Sequence, residues 1–124
     1  MSTALTAGHS ILVDCNFHPE QATPRLRALQ AESGCRVYQV QCRAAGPVLA
    51  ARYLARATSG ARHPGHVDVA RLDDAALVAQ LQQGAYPDLP LAGPIVHVDT
   101  TDFAAVDYPA LRAGLAAALA PRAP

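Results

Sequence analysis

The sequence predicts an α/β fold, a parallel sheet of three strands with flanking helices, and three observations carry that reading. Short β-forming runs at 11–14, 36–42 and 95–99 alternate with stretches of helical character. The first and last runs end in an acid, Asp14 and Asp99, and strand ends of this kind open on ligand sites in parallel sheets. The intervening stretches are long enough for right-handed helical crossovers.

Taken in order, MSTALTAG has helical composition and stops at Gly8. Ile11-Leu12-Val13 is a continuous apolar run, as expected of a buried parallel strand, and CNFHPE follows Asp14. A helix is expected from about Pro24 to Ser33, with Thr23 as its cap, Leu26 and Leu29 on its buried stripe and Gly34 as its end. RVYQVQC is the second strand, and Ala45-Gly46-Pro47 turns the chain into a third helix, PVLAARYLARATS. Leu72-Asp73 open a further helix through Leu77, Val78 and Leu81 to Gly84. The Pro-rich AYPDLPLAGP leads to the third strand, Ile95–Asp99. Tyr108-Pro109 begin the last helix, whose Leu111, Leu115 and Leu119 share a face, and Pro121 stops it.

A chain of 124 residues suits one domain, 1–124. Half its residues are apolar but many are Ala, so the expected core is small and aliphatic, with Phe17, Tyr38 and Phe103 as its larger pieces. Ten acidic residues balance ten basic ones, which leaves no overall field to attract nucleic acid or an anionic membrane. All ten basic residues are Arg; the sequence has no Lys. Cys15, Cys35 and Cys42 have no CxxC spacing, and free, mostly buried thiols in a cytoplasmic protein are expected. No apolar run nears the roughly 20 residues of a membrane span.

The stretch Pro47–Asp68 concentrates the candidate chemistry. Arg52 and Arg56 lie one turn apart on a helix, and Arg62, His63 and His66 follow in a Gly-containing loop, with a lid at about 57–68. Guanidinium groups bind phosphate oxygens in pairs and stay charged at any working pH. A solvated basic helix face followed by a turn fits the same residues. Asp14, Asn16, Phe17, Asp99 and Thr100 would share the carboxyl edge of the sheet with the loop after Cys42, although strand-end acids also cap turns.

ILVDCNFHPE, VYQVQC and ARYLARATSGARHPGHVD together resemble the small P-loop kinases of the AAA-domain type, relatives of chloramphenicol phosphotransferase, zeta toxin and the polynucleotide kinases. The resemblance runs from about Thr6 to Leu119. It implies an ATP-binding phosphotransferase using magnesium ATP and a small-molecule hydroxyl. In it, Asp14 is the catalytic acid-bearing residue, an indirect magnesium partner or the base for the hydroxyl. Arg52, Arg56 and Arg62 are lid arginines on the ATP phosphates, Asp99 and Thr100 lie near the nucleotide, and Asn16, Phe17, His63 and His66 belong to the substrate region or lid.

The departure from that family is as informative. No GxxxxGK[ST] loop occurs in the sequence, nor any Lys to serve in it. The expected fold is therefore a partial P-loop NTPase-like sheet, truncated at its N-terminal side, with the first strand and P-loop absent. That strand would lie between the strands at 11–14 and 37–42, whose exposed edges must close together or pair with a partner chain. Three functions remain open: the C-terminal part of an ATP-dependent kinase, inactive alone; a nucleotide- or anion-binding module without chemistry; and an interaction protein using open sheet edges.

Overall fold

The computed structural model describes residues 1–60, 63, 71, 73–84 and 86–120. Its elements run α1 (Ser2–Thr6), α2 (Pro19–Ser33), β1 (Gln39–Arg43), α3 (Gly46–Thr58), α4 (Ala75–Gln82), β2 (Ile95–Asp99), a 3₁₀ turn (Phe103–Ala105) and α5 (Tyr108–Leu119). β1 and β2 pair in a two-stranded sheet. The Gln39 amide donates to the Pro94 carbonyl and the Thr100 amide to the Arg43 carbonyl. The pairing thus advances in the same direction along both strands, so the sheet is parallel and the architecture α/β.

β2 and α5 fall where the sequence pattern puts them, and α3 starts one residue before Pro47. The expected third strand does not form: Ile11–Val13 lies outside any ladder among the described residues. Three β-forming residues fix no strand by themselves, because a ladder needs a neighbour that offers its backbone groups.

α2 is longer than expected. His18 is its N-cap, Pro19 occupies the first turn and Pro24 lies inside. A proline at the first helical position loses nothing, since that amide has no intrahelical partner. Pro24 does forfeit one internal bond, and the turns beyond it are tied down from outside. Arg27 donates from Nε (3.0 Å) and Nη2 (2.7 Å) to the Pro90 carbonyl, and Gln30 donates to that of Ala92 at 2.8 Å. Thr23, expected as the cap, is instead buried within the helix.

The thiols are also more open than expected, with Cys15 and Cys42 exposed and Cys35 half-buried. In β1, Gln39 and Gln41 take the more buried positions while Val40 and Cys42 are exposed. Gln39 can sit there because its side chain donates to the Leu89 carbonyl at 2.9 Å and accepts from the Leu89 amide at 3.3 Å. Phe103 is 56% exposed rather than part of a core. Among the described residues, the buried apolar side chains are Ala44 and Leu89, and neither is fully sealed from solvent.

The chain divides into two compact units, Met1–Gln41 with Pro87–Val96 and Asp107–Pro124, and Cys42–Tyr86 with His97–Val106. In the first, Arg36 closes the C-terminal end of α5. Its Nη1 donates to the carbonyls of Ala118 (2.9 Å) and Ala120 (2.8 Å), and its Nη2 to that of Leu119 (2.7 Å). These carbonyls carry the negative end of the helix dipole, which a cation stabilises.

In the second unit α3 packs on α4. Asp74 caps α4 by accepting from the amides of Ala76 and Leu77. At the opposite end, the carbonyl of Gln82 comes so close to Gly46 that a side chain there would collide with it. The negative end of α4 thus meets the positive end of α3. No described helix is long and apolar enough to cross a membrane.

Candidate functional site

The second unit contains a cleft of about 440 Å³ at the carboxyl ends of β1 and β2, lined by Arg43, Ala44, Ala45, Gln83, Gly84, His97, Asp99 and Thr101. Local sequence puts each wall in place. Arg43 and Asp99 are the last residues of their strands, and in a parallel sheet those ends lie on one edge. Ala45 caps α3, whose first amides lack helical partners. Gly84, with φ of 76°, lets the chain turn after α4 so that its carbonyl accepts from the Ala44 amide at 3.0 Å. Any side chain at position 84 would strike the Ala44 carbonyl.

Thr101 organises the far wall. Its hydroxyl accepts from the Ala45 amide at 2.8 Å, and its own amide donates to Asp99 Oδ1 at 2.8 Å. The Thr101 hydroxyl, and after it the Thr101 amide, hold the Asp99 carboxyl below its ordinary pKa. Asp99 therefore faces the cleft as a carboxylate. Across from it, Arg43 Nη2 lies 2.9 Å from His97 Nε2. A guanidinium only donates, so this His97 nitrogen accepts and its ring proton sits on Nδ1. The cleft thus offers one fixed cation, one imidazole, one carboxylate and the start of a helix.

Of the residues the sequence singles out, Asp99 lines the cleft, and Arg52 and Thr100 bond to each other beside it. The Arg52 guanidinium donates to the carbonyls of Thr100 (2.7 Å) and Thr101 (2.9 Å) and lies 4.3 Å from the centre of the Phe103 ring. The Thr100 amide (2.7 Å) and hydroxyl (2.8 Å) both donate to the Arg43 carbonyl and so join the ends of β1 and β2. Arg56 is exposed on the next turn of α3, 5.9 Å from the Tyr53 ring centre. His63 is exposed, and Arg62 and His66 lie outside the described residues. Asp14, Asn16 and Phe17 belong to the other unit, in a stretch without helix or strand; Asp14 and Asn16 are exposed and Phe17 half-buried.

Sequence reasoning did not single out Arg43, His97 or Thr101. The available signal was positional: Arg43 directly follows the β-forming run 36–42, and the ends of parallel strands gather.

No known family profile matches the chain, and no curated protein does. Among solved structures, it is similar to the crystal structure of a protein described as a putative kinase from Chloroflexus aurantiacus J-10-fl. The two share 34% sequence identity with a TM-score of 0.81 over 96% of this chain. The match spans 63% of the kinase's own chain. The fold is kinase-like.

Proposed function

We propose that this chain forms part of an ATP-dependent phosphotransferase of the P-loop kinase type, acting on a small-molecule hydroxyl. The observation that carries the reading is the 34% identity to a kinase-like structure over 96% of the chain. The cleft at the carboxyl ends of β1 and β2 supports it, because ligands of open α/β sheets bind there.

The described residues fit a single phosphoryl group better than a whole triphosphate. Arg43, at the end of β1 and in the lining of the cleft, suits an anion. Asp99 suits a cation, and magnesium in kinases is held by one or two carboxylates together with substrate phosphates. Among the described residues no group of three or more His, Cys, Asp and Glu stands together as a metal cage. Bound magnesium ATP would supply the transferable phosphoryl group. In this assignment Arg56 and Arg62 add lid charge, and Asp14 takes the hydroxyl proton or supports magnesium. By the resemblance, Asn16, Phe17, His63 and His66 belong to the substrate region or the lid. Arg52 anchors α3 to the Thr100–Thr101 backbone and presents its remaining N–H groups.

A second reading, nucleotide or anion binding without chemistry, is favoured by the absence of Lys from the sequence. Positioning and charge stabilisation supply most of the catalysis of phosphoryl transfer, and a P-loop Lys contributes to both. Calorimetry with magnesium ATP, followed by an ATP turnover assay on the same preparation, separates the readings. Heat with turnover supports phosphotransfer, heat without turnover supports the binding module, and no heat at millimolar ATP removes both.

A further inference from the structure

The cleft of the second unit holds an arginine and a carboxylate that do not pair. Arg43 and Asp99 both line it, and opposite charges on neighbouring strands ordinarily attract. Asp99 instead accepts from the Thr101 amide at 2.8 Å. The groups that favour its charged form are the Thr101 hydroxyl and amide, with no contribution from Arg43. Thr101 therefore occupies the carboxylate that would otherwise neutralise the arginine.

Arg43 is held by a different partner, His97, whose Nε2 lies 2.9 Å from its Nη2. His97 stands two residues before Asp99 on β2, so the pleat sends both side chains to one face. A carboxylate that aims an arginine also cancels its charge. A neutral imidazole nitrogen fixes the guanidinium plane and leaves the charge for a ligand. The rest of the described lining, Ala44, Ala45, Gln83, Gly84 and Thr101, sets no charged side chain against the pair. Ordering a long side chain costs entropy, and here part of that cost is met before a ligand arrives.

We propose that His97 is a positioning residue for phosphoryl binding by Arg43: its Nε2 aims the guanidinium while Thr101 keeps Asp99 from neutralising it. This inference rests on the phosphotransferase reading, and it adds the residue that keeps the anion subsite both ordered and charged.

The test measures magnesium ATP binding to the full chain by calorimetry at pH 8, where a free imidazole is neutral. The proteins are the native chain, His97→Phe, His97→Gln, Arg43→Ala and the double variant His97→Phe, Arg43→Ala. Phe keeps a ring without an acceptor, and Gln supplies Oε1 as one. His97→Phe should weaken binding about tenfold, and His97→Gln should recover most of the loss. The double variant should bind no more weakly than Arg43→Ala, because a residue acting through Arg43 has nothing to position in its absence. Nitrogen NMR of the native chain should find the His97 ring proton on Nδ1. A contact that only ties β1 to β2 would lower the melting point of His97→Phe and leave its affinity native, which would overturn the proposal. So would an additive loss in the double variant, or a ring proton on Nε2. If the native chain binds, any of these outcomes removes this inference alone. No heat from the native chain at millimolar ATP removes the phosphotransferase reading together with it.

Discussion

Arg52 Nη2 donates to the carbonyl oxygen of Thr101 at 2.9 Å, and the same guanidinium reaches Thr100 at 2.7 Å. One planar fork on α3 therefore fixes the backbone that follows β2, and through Thr101 it sets the Asp99 wall of the cleft. Arg52→Ala should destabilise the chain by about 2 kcal/mol, the range for charged hydrogen bonds that leave acceptors behind. Arg52→Lys should recover less than half, since an ammonium lacks the fork. Urea unfolding of the three proteins measures this, and a loss under about 0.5 kcal/mol for Arg52→Ala would show that the fork holds nothing.

Gly84 makes a second, sharper demand on the same unit. Its φ of 76° and the carbonyl of Ala44 leave no place for a side chain. Gly84→Ala should cost about 2 kcal/mol or more and open the cleft, whereas Gly60→Ala, which has open space at its φ of 67°, should cost less. Thermal melting of the pair decides whether the close approach adds to the backbone strain.

Arg36 offers a test in the first unit. Its three bonds to the last carbonyls of α5 predict that Arg36→Ala lowers stability by about 1 to 2 kcal/mol and speeds amide exchange in α5. Unchanged exchange there would mean that the cap is idle.

Two carboxylates set an acid dependence. Asp74 is held below its ordinary value of 3.8 first by the Leu77 amide and then by Arg71, and Asp99 likewise by the Thr101 hydroxyl and amide. For a pKa lowered by folding, the unfolded chain binds protons first, so the stabilisation is complete above about pH 4 and is lost as pH falls through the folded values. Stability measured from pH 5 down to pH 2 should decline, and the decline should be shallower in Asp74→Ala and in Asp99→Ala. Parallel curves for all three proteins would contradict the assignment.

Much of this fold is legible in the sequence because local signals agree with the tertiary outcome. Ile95–Asp99 alternates and ends in an acid, and Tyr108–Leu119 is bracketed by Asp107 and Pro121. The failures share one cause: the deciding partner is far away in sequence. Ile11–Val13 reads as a strand but has no ladder among the described residues, Pro24 reads as a helix start but is passed by a helix tethered at Pro90 and Ala92, and the burial of Gln39 rests on Leu89, 50 residues away. The same holds for the cleft. Asp99 and Thr100 are visible as a strand end, while the Arg43–His97 contact joins residues 54 apart and has no local signature.

The most direct measurement of the phosphotransferase reading is thermal melting of the chain with and without magnesium ATP, beside Arg43→Ala. A ligand at ten times its Kd adds about 1.4 kcal/mol, which for a chain of this size raises the melting point by roughly 3 to 8 °C. Such a rise is expected for the native chain and a much smaller one for Arg43→Ala, each read against the same protein's melting point without nucleotide, because Arg43→Ala also removes the contact with His97. A melt that ignores millimolar magnesium ATP in both proteins would contradict it.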